Sequence, residues 1–171
     1  MLFTFRELNQ STGPLHWEEE VRLRGVEKEN SDLIRLEPVK VGITAWKDQG
    51  LFHMQGDQSA KATLRCSRCL SGFDQTLSSH WHRVFTDDEN RVEPNGEEEV
   101  LLVSLDRPTD LTPFIREALL LSIPFAPVCR EDCKGLCPTC GTDWNQASCQ
   151  CDNRQVNPRL AKLGELLNRD P

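Results

Sequence analysis

Eight cysteines, at positions 66, 69, 129, 133, 137, 140, 149 and 151, constrain this chain more than any other feature of its sequence. They fall in four close pairs, Cys66/Cys69, Cys129/Cys133, Cys137/Cys140 and Cys149/Cys151. An even count of this kind suits four disulfides in a secreted protein. The opening Met1-Leu2-Phe3-Thr4-Phe5-Arg6-Glu7 has no basic lead, apolar core or cleavage site, so a cytoplasmic address is expected instead. In a reducing compartment the pairs read as thiolate ligands for zinc, which takes four soft ligands in a tetrahedron. Buried unliganded cysteine is one competing reading. A redox role for Cys66/Cys69 is another, and it wants a βαβ setting that the surrounding pattern lacks.

Cys137-Pro138-Thr139-Cys140-Gly141 is the sharpest segment. The proline fixes φ in a tight turn and the glycine can take φ > 0, which aims backbone N–H groups at the sulfurs. Cys149-Gln150-Cys151 follows eight residues later with a less common chelate spacing. Loop length favours Cys137, Cys140, Cys149 and Cys151 in one site. Cys66, Cys69, Cys129 and Cys133 then form a second site that staples a sheet to the C-terminal module. Spacing alone leaves open the rival grouping of Cys129, Cys133, Cys137 and Cys140. Two structural zinc ions per chain are expected, since eight cysteines can close two sites without leaving an open coordination position.

The chain has 171 residues, long enough for one modest core, and its 20 basic and 27 acidic residues give a net charge of −7. Between Thr86 and Glu99 lie seven acids and one base, so that stretch holds nearly all of the excess and reads as a solvated loop. A balance of this sign argues against nonspecific binding to polyanions while permitting a local basic face. The longest apolar stretch, about residues 118–128, is broken by Ser122, Pro124 and Pro127 and is too short to span a bilayer, so no membrane partner is expected.

Patterning predicts α+β architecture, with an antiparallel β-sheet, a packed helix and a C-terminal cysteine-rich zinc-binding module. Residues 17–24 suit a strand with one polar face. Val41–Trp46 and Leu51–Gln55 flank a turn at Lys47-Asp48-Gln49-Gly50 and form a hairpin. Ala60, Ala62, Leu64 and Cys66 alternate with polar residues, and Phe73, Leu77, Trp81 and Phe85 mark the core face of the returning strand. Cys66-Ser67-Arg68-Cys69 therefore sits at a hairpin tip. The period then changes. Asp110 is a plausible N-cap for a helix with Leu111, Phe114, Ile115, Ala118, Leu119 and Ser122 on one face, ended by Pro124. Asn157-Pro158 opens a last helix with Leu160, Leu163 and Leu167 on its apolar side. The division expected is a sheet domain with helix over 1–127, including an acidic loop at 86–99, and a zinc-binding module with its helix over 128–171.

Cys66-Ser67-Arg68-Cys69-Leu70 resembles the Cys-x-Arg-Cys-Leu element of the YceD family, the large ribosomal RNA subunit accumulation proteins. So do Ala118-Leu119-Leu120-Leu121-Ser122-Ile123-Pro124 and the block from Cys129 to Gly141. Asn157-Pro158-Arg159-Leu160-Ala161-Lys162-Leu163 is similar to the family's closing Asp-Pro-Arg-Leu-x-x-Leu, with Asn157 in place of Asp. The resemblance covers roughly residues 40–167. It implies a non-enzymatic factor supporting synthesis, processing or accumulation of large-subunit ribosomal RNA. The implied partners are that RNA or a precursor ribosomal particle, or a basic ribosomal protein.

No Gly-rich phosphate loop or nucleophile elbow occurs, so no catalytic residues are expected. His80 and His82 share one strand face, where they suit a metal chelate, an RNA contact or a plain polar face. Residues 61–83 hold Lys61, Arg65, Arg68 and Arg83 against Asp74 alone. With His80 and His82 these four are the candidate RNA or partner contacts, where paired charge can hold phosphate. The competing function class is a zinc-ribbon-like protein-interaction module, in transcription, that meets a basic partner through the acidic loop.

Overall fold

In the computed structural model, which describes residues 1–92 and 99–153, period-two patterning decides where the sheet runs. In chain order the elements are β1 (Leu2–Phe3), α1 (Phe5–Gln10), β2 (Leu15–Val21), α2 (Val26–Glu29) and β3 (Leu33–Leu36). They continue with β4 (Val39–Asp48), β5 (Leu51–Arg65), β6 (Gly72–Thr86), β7 (Val100–Leu102), β8 (Thr109–Asp110) and α3 (Thr112–Ser122). The six-stranded sheet runs β2-β4-β5-β6-β7, with β3 also pairing β5, while β1 and β8 form a separate two-stranded ladder. All pairs are antiparallel except β6–β7, so the chain is α+β with one parallel contact at the sheet margin.

The β5–β6 hairpin is the frame. It stays in register from Phe52↔Phe85 to Arg65↔Gly72, which joins the two expected strands Leu51–Gln55 and Ala60–Cys66 into one element of 15 residues. Even-numbered residues of β5 are buried from Phe52 to Leu64 and odd ones are half-buried or exposed, as alternation requires. Along the other side of β5, β4 pairs its first half and β3 its second. Pro38 lies between them and cannot donate to the ladder, so the strand breaks there. The residue before it still joins, since the Glu37 N–H donates to the Lys61 carbonyl at 2.9 Å.

One sheet face is covered by α1, α2 and α3. Phe5, Phe52 and Phe85 are fully buried and meet at 5.0–5.4 Å between centroids, each worth about 1.5–3 kcal/mol of burial. Gln58 is a buried polar residue of this core, and its side-chain amide is hydrogen-bonded at both ends. Its amide donates to the Ile115 carbonyl and to Ser79 Oγ, both at 2.9 Å, and its oxygen accepts the Trp81 indole N–H at 3.3 Å. That network ties α3 to the hairpin.

Three expectations need adjustment. The strand placed at 17–24 is β2, Leu15–Val21. Leu111 occupies the N-cap position of α3, yet the Asp110 carboxylate accepts the Thr112 N–H at 2.9 Å and so caps from one residue earlier. The acidic stretch is not all loop: Thr86 is buried at the end of β6, and Glu89–Arg91 form a single 3-10 turn. Residues 93–98 of that stretch, and the last helix expected from Asn157, lie outside the described residues. Among the described residues, no helix is long and apolar enough to cross a membrane.

Candidate functional site

The hairpin tip builds the first cysteine group. The Cys66 N–H donates to the Ser71 carbonyl at 2.8 Å, and the Leu70 N–H to the Cys66 carbonyl at 2.9 Å. The second turn repeats the pattern: the Cys137 N–H reaches the Thr142 carbonyl at 2.8 Å, and the Gly141 N–H the Cys137 carbonyl at 2.9 Å. Leu70 and Gly141 occupy the same left-handed position, at φ +60° and +74°. Cys69 Sγ lies 2.9 Å from Ser71 Oγ, and Cys140 Sγ lies 3.1 Å from Thr142 Oγ1. Cys66-x-x-Cys69-x-Ser71 and Cys137-x-x-Cys140-x-Thr142 are thus two copies of one turn, each presenting two sulfurs on the same side.

Each turn gathers two more sulfurs. Cys66, Cys69, Cys129 and Cys133 form one group and Cys137, Cys140, Cys149 and Cys151 the other, with all four sulfurs within 4.8 Å of one another in each. The structure does not bring Cys129 and Cys133 together with Cys137 and Cys140 as one set. Cys66 Sγ is 3.9 Å from Cys133 Sγ and Cys69 Sγ is 3.7 Å from Cys129 Sγ, far beyond the ~2.05 Å of a disulfide. All eight cysteines are free, and each set of four could hold a metal ion through four sulfurs.

The electrostatics of the sulfurs fit that use. Burial pushes the Cys66 thiol up, but N–H groups of Cys69, Cys129 and Arg68 outweigh it and leave it lowered to about 6. The Cys140 N–H, with help from Thr139 and Asn153, likewise brings Cys137 to about 6 against the effect of burial. Cys129 is pushed up to about 12 by burial and by the neighbouring sulfurs of Cys133, Cys66 and Cys69. Cys151 is pushed up to about 12 by Cys140 foremost, then burial and Cys137. Four thiolates this close cannot all ionise without a cation among them, and a divalent metal removes that conflict. Amide and indole donors supply an outer layer: Asn145 Nδ2 points to Cys133 Sγ at 3.5 Å, Asn153 Nδ2 to Cys137 Sγ at 3.5 Å and Trp144 Nε1 to Cys149 Sγ at 3.3 Å. Asn145 belongs to the segment of the second group but contacts the first, so it joins the two. These donors follow the cysteines at no fixed spacing, which hid them in the sequence.

The candidate contact residues divide. Lys61 and Arg65 lie on odd positions of β5, on the sheet face away from the helices, and both are exposed. His80 and His82 pair with Asp57 and Gln55 on that same face. Arg68 and Arg83 do not join them. Arg68 Nη1 donates to the carbonyls of Glu131 and Cys133 at 3.0 and 2.9 Å, which holds the 129–133 loop against the hairpin tip. Arg83 projects to the helix side, where it bridges Glu117 at 2.9 Å and lies over the Phe114 ring at 5.5 Å. Its odd number, shared with Phe73, Leu77, Trp81 and Phe85, was the signal available in the sequence.

Other residues on the open face were missed. Arg35 of β3 stands across from Thr63, near Lys61 and Asp74. Trp46, His53 and His82 form a triangular cluster across β4, β5 and β6, with centroids 5.3–5.9 Å apart pairwise and planes within 14° of parallel. The His53 and His82 rings also meet at 3.3 Å between Nδ1 and Nε2. Three separate strands contribute one ring each, so only the register Trp46↔His53 and Gln55↔His82 brings them together.

Residues 54–167 match the family described as Large ribosomal RNA subunit accumulation protein YceD. The chain belongs to the YceD family. It is 32% identical over 172 residues to the uncharacterized protein YlbN of Bacillus subtilis, covering 99% of this chain and 98% of that protein. An uncharacterized protein of Mycobacterium tuberculosis is 31% identical over 134 residues, 78% of this chain. The chain spans only 60% of the length of that mycobacterial relative. The Large ribosomal RNA subunit accumulation protein YCED homolog 1, chloroplastic, of Zea mays is 26% identical over 147 residues, 70% of this chain and 50% of that protein. No solved structure matches this YceD chain. The matched residues take in both cysteine groups and β6.

Proposed function

We propose that this YceD protein is a non-enzymatic factor for accumulation of large-subunit ribosomal RNA, held in shape by two structural zinc ions. Membership of a family bearing that description carries the reading. Zinc is supported by distance. Sulfurs at a Zn–S length of ~2.3 Å stand about 3.8 Å apart in a tetrahedron, between the 3.7 and 3.9 Å of the first group. The eight cysteines Cys66, Cys69, Cys129, Cys133, Cys137, Cys140, Cys149 and Cys151 would be the ligands. With all four positions of each ion closed by sulfur, zinc would supply cross-linking rather than a reactive water. The same proposal divides the chain at 127/128 into a sheet domain and a metal-binding module stapled by the first group.

RNA contact, in this reading, uses the open sheet face: Lys61, Arg65 and Arg35 for phosphate, with His80 and the Trp46–His53–His82 cluster beside them. A second reading is favoured by Glu18, Glu20 and Asp57, which line a hollow of about 610 Å³ on this sheet and suit a basic protein partner. Gradient fractionation of cell extract decides between them. The natural protein is expected to sediment with large-subunit precursors and to contain about two zinc ions per chain by elemental analysis. A Lys61→Ala/Arg65→Ala variant is expected to release at lower salt, because each lost phosphate contact shallows the salt slope by about one unit. Absence of the natural protein from precursor fractions would sink the RNA reading. Unchanged sedimentation of the variant would move the contact to the acidic hollow.

A further inference from the structure

Strand β6 pairs with β5 along its length, but on its other side β7 covers only Val84–Thr86. Among the described residues no strand lies against 73–83 on that side. Among the described residues, alternate positions of this eleven-residue stretch thus present backbone N–H and C=O groups along an open edge, while the others bond β5. Natural edges are commonly guarded by lysine, proline or a bulge, and this stretch contains neither lysine nor proline. Nor is its register with β5 interrupted. A groove of about 510 Å³ follows the edge, walled by Ser78–Arg83 on one side and by Glu117, Ala118, Leu121 and Ser122 of α3 on the other. Leu121 is 79% exposed, an unusual setting for a leucine beside an unpaired strand.

We propose that a second copy of this chain pairs with this edge, β6 against β6 and antiparallel, about a two-fold axis at Ser78. Three features fit that occupant. The open stretch 73–83 is centred on Ser78, so self-pairing uses all of it and stops where β7 begins. Residues of the two copies then face each other when their numbers add to 156, and even residues, which point to the open face, meet even residues. Asp74 falls opposite the partner's His82, twice per dimer. Asp74 Oδ1 accepts Thr63 Oγ1 and His82 Nε2 meets His53, so the new contact would use Oδ2 and Nδ1. Finally, exposed Leu121 lines the same groove as Ser78 and Ser79, so pairing about Ser78 would bring it toward its own copy and cover it. The result is one continuous sheet through two copies.

Sedimentation equilibrium of the metal-loaded full chain tests this. The natural protein is expected at twice the 19.5 kDa chain mass, falling to one on dilution. Leu121→Asp places two like charges at the axis, and Asp74→Arg sets a cation against His82. Each is expected to weaken dimerisation roughly tenfold or more, with the circular dichroism spectrum unchanged. The double variant Asp74→Arg/His82→Asp is expected to restore it, which fixes the register. A natural chain that stays monomeric at every concentration overturns the proposal, including the case in which the edge serves a different protein. So does a dimer indifferent to both single variants. Should Leu121→Asp fail to fold, Asp74→Arg and its rescue decide alone.

Discussion

Leu70 stands where its counterpart turn has Gly141, and both adopt left-handed φ. An L-residue in that region is disfavoured by about 1–2 kcal/mol through contact of Cβ with the backbone. The Leu70 side chain is 56% exposed, so little packing offsets the strain. Leu70→Gly is therefore expected to raise the stability of the metal-loaded chain by about 1 kcal/mol, read from the denaturant midpoint. A lower midpoint would mean that the leucine packs more than its exposure implies. The sulfurs make a second residue-scale prediction. Without metal at pH 7.5, Cys129 and Cys151, both near 12, keep their protons, while Cys66 and Cys137, near 6, have lost theirs. Zinc uptake must expel the protons of the first two, so calorimetry in buffers of different ionisation enthalpy should show at least about one proton released per site. As pH falls, affinity drops, and it drops more steeply below about 6, where Cys66 and Cys137 also take up protons. Uptake with no proton release would contradict the thiolate assignment.

At the scale of elements, the β5–β6 hairpin depends on one close approach. A Cβ built at Gly56 would lie 2.3–2.5 Å from three atoms of the Trp81 indole, which covers the strand there. Trp81 is only 4% exposed and is tied to Gln58, so it has little room to give. Gly56→Ala is expected to cost about 1–3 kcal/mol and to shift Trp81 fluorescence, while leaving the cysteine groups intact. An unchanged midpoint would show that the ring can slide. Much of this element was legible from alternation, since burial follows the parity of the sequence along β5 and along β6 as far as Trp81, whereas Val84, Phe85 and Thr86 are all buried. The union of two expected strands across Gln55–Ala60 was harder to see, because Gly56 and Asp57 read as a break. In the pleat, the glycine is the residue that lets Trp81 in. The first forty residues offered least. α1 and α2 are short, and their buried Phe5, Leu8 and Val26 make no repeating stripe. The grouping of the cysteines was legible from loop length, whereas the direction of Arg68 within its turn was not.

For the whole molecule, the first cysteine group is the clamp between the hairpin tip and the segment from 129 onward. Cys66, Cys69 and Cys133 make a small buried cluster apart from the main core. The core beneath the sheet is largely apolar and shares only Phe73 with that cluster, so chelation is expected to deprotect amides across 129–153 in hydrogen exchange while β4, β5 and β6 stay protected. Loss of protection across the sheet as well would show that the clamp holds the core. The two groups also differ in the length of chain they enclose. Cys66 and Cys129 are 63 residues apart in sequence, and Cys137 and Cys151 only 14. Closing a loop costs about (3/2)RT ln n, so in an unstructured chain the short loop is favoured by about 1.3 kcal/mol, roughly tenfold. An ion meeting the full-length unfolded chain would therefore be drawn first to the C-terminal cysteines. The long loop becomes closable once the hairpin has already carried Cys66 and Cys69 to its tip. Metal in the first group would then record that the sheet has formed, so spacing along the chain would set the order in which two chemically alike sites fill.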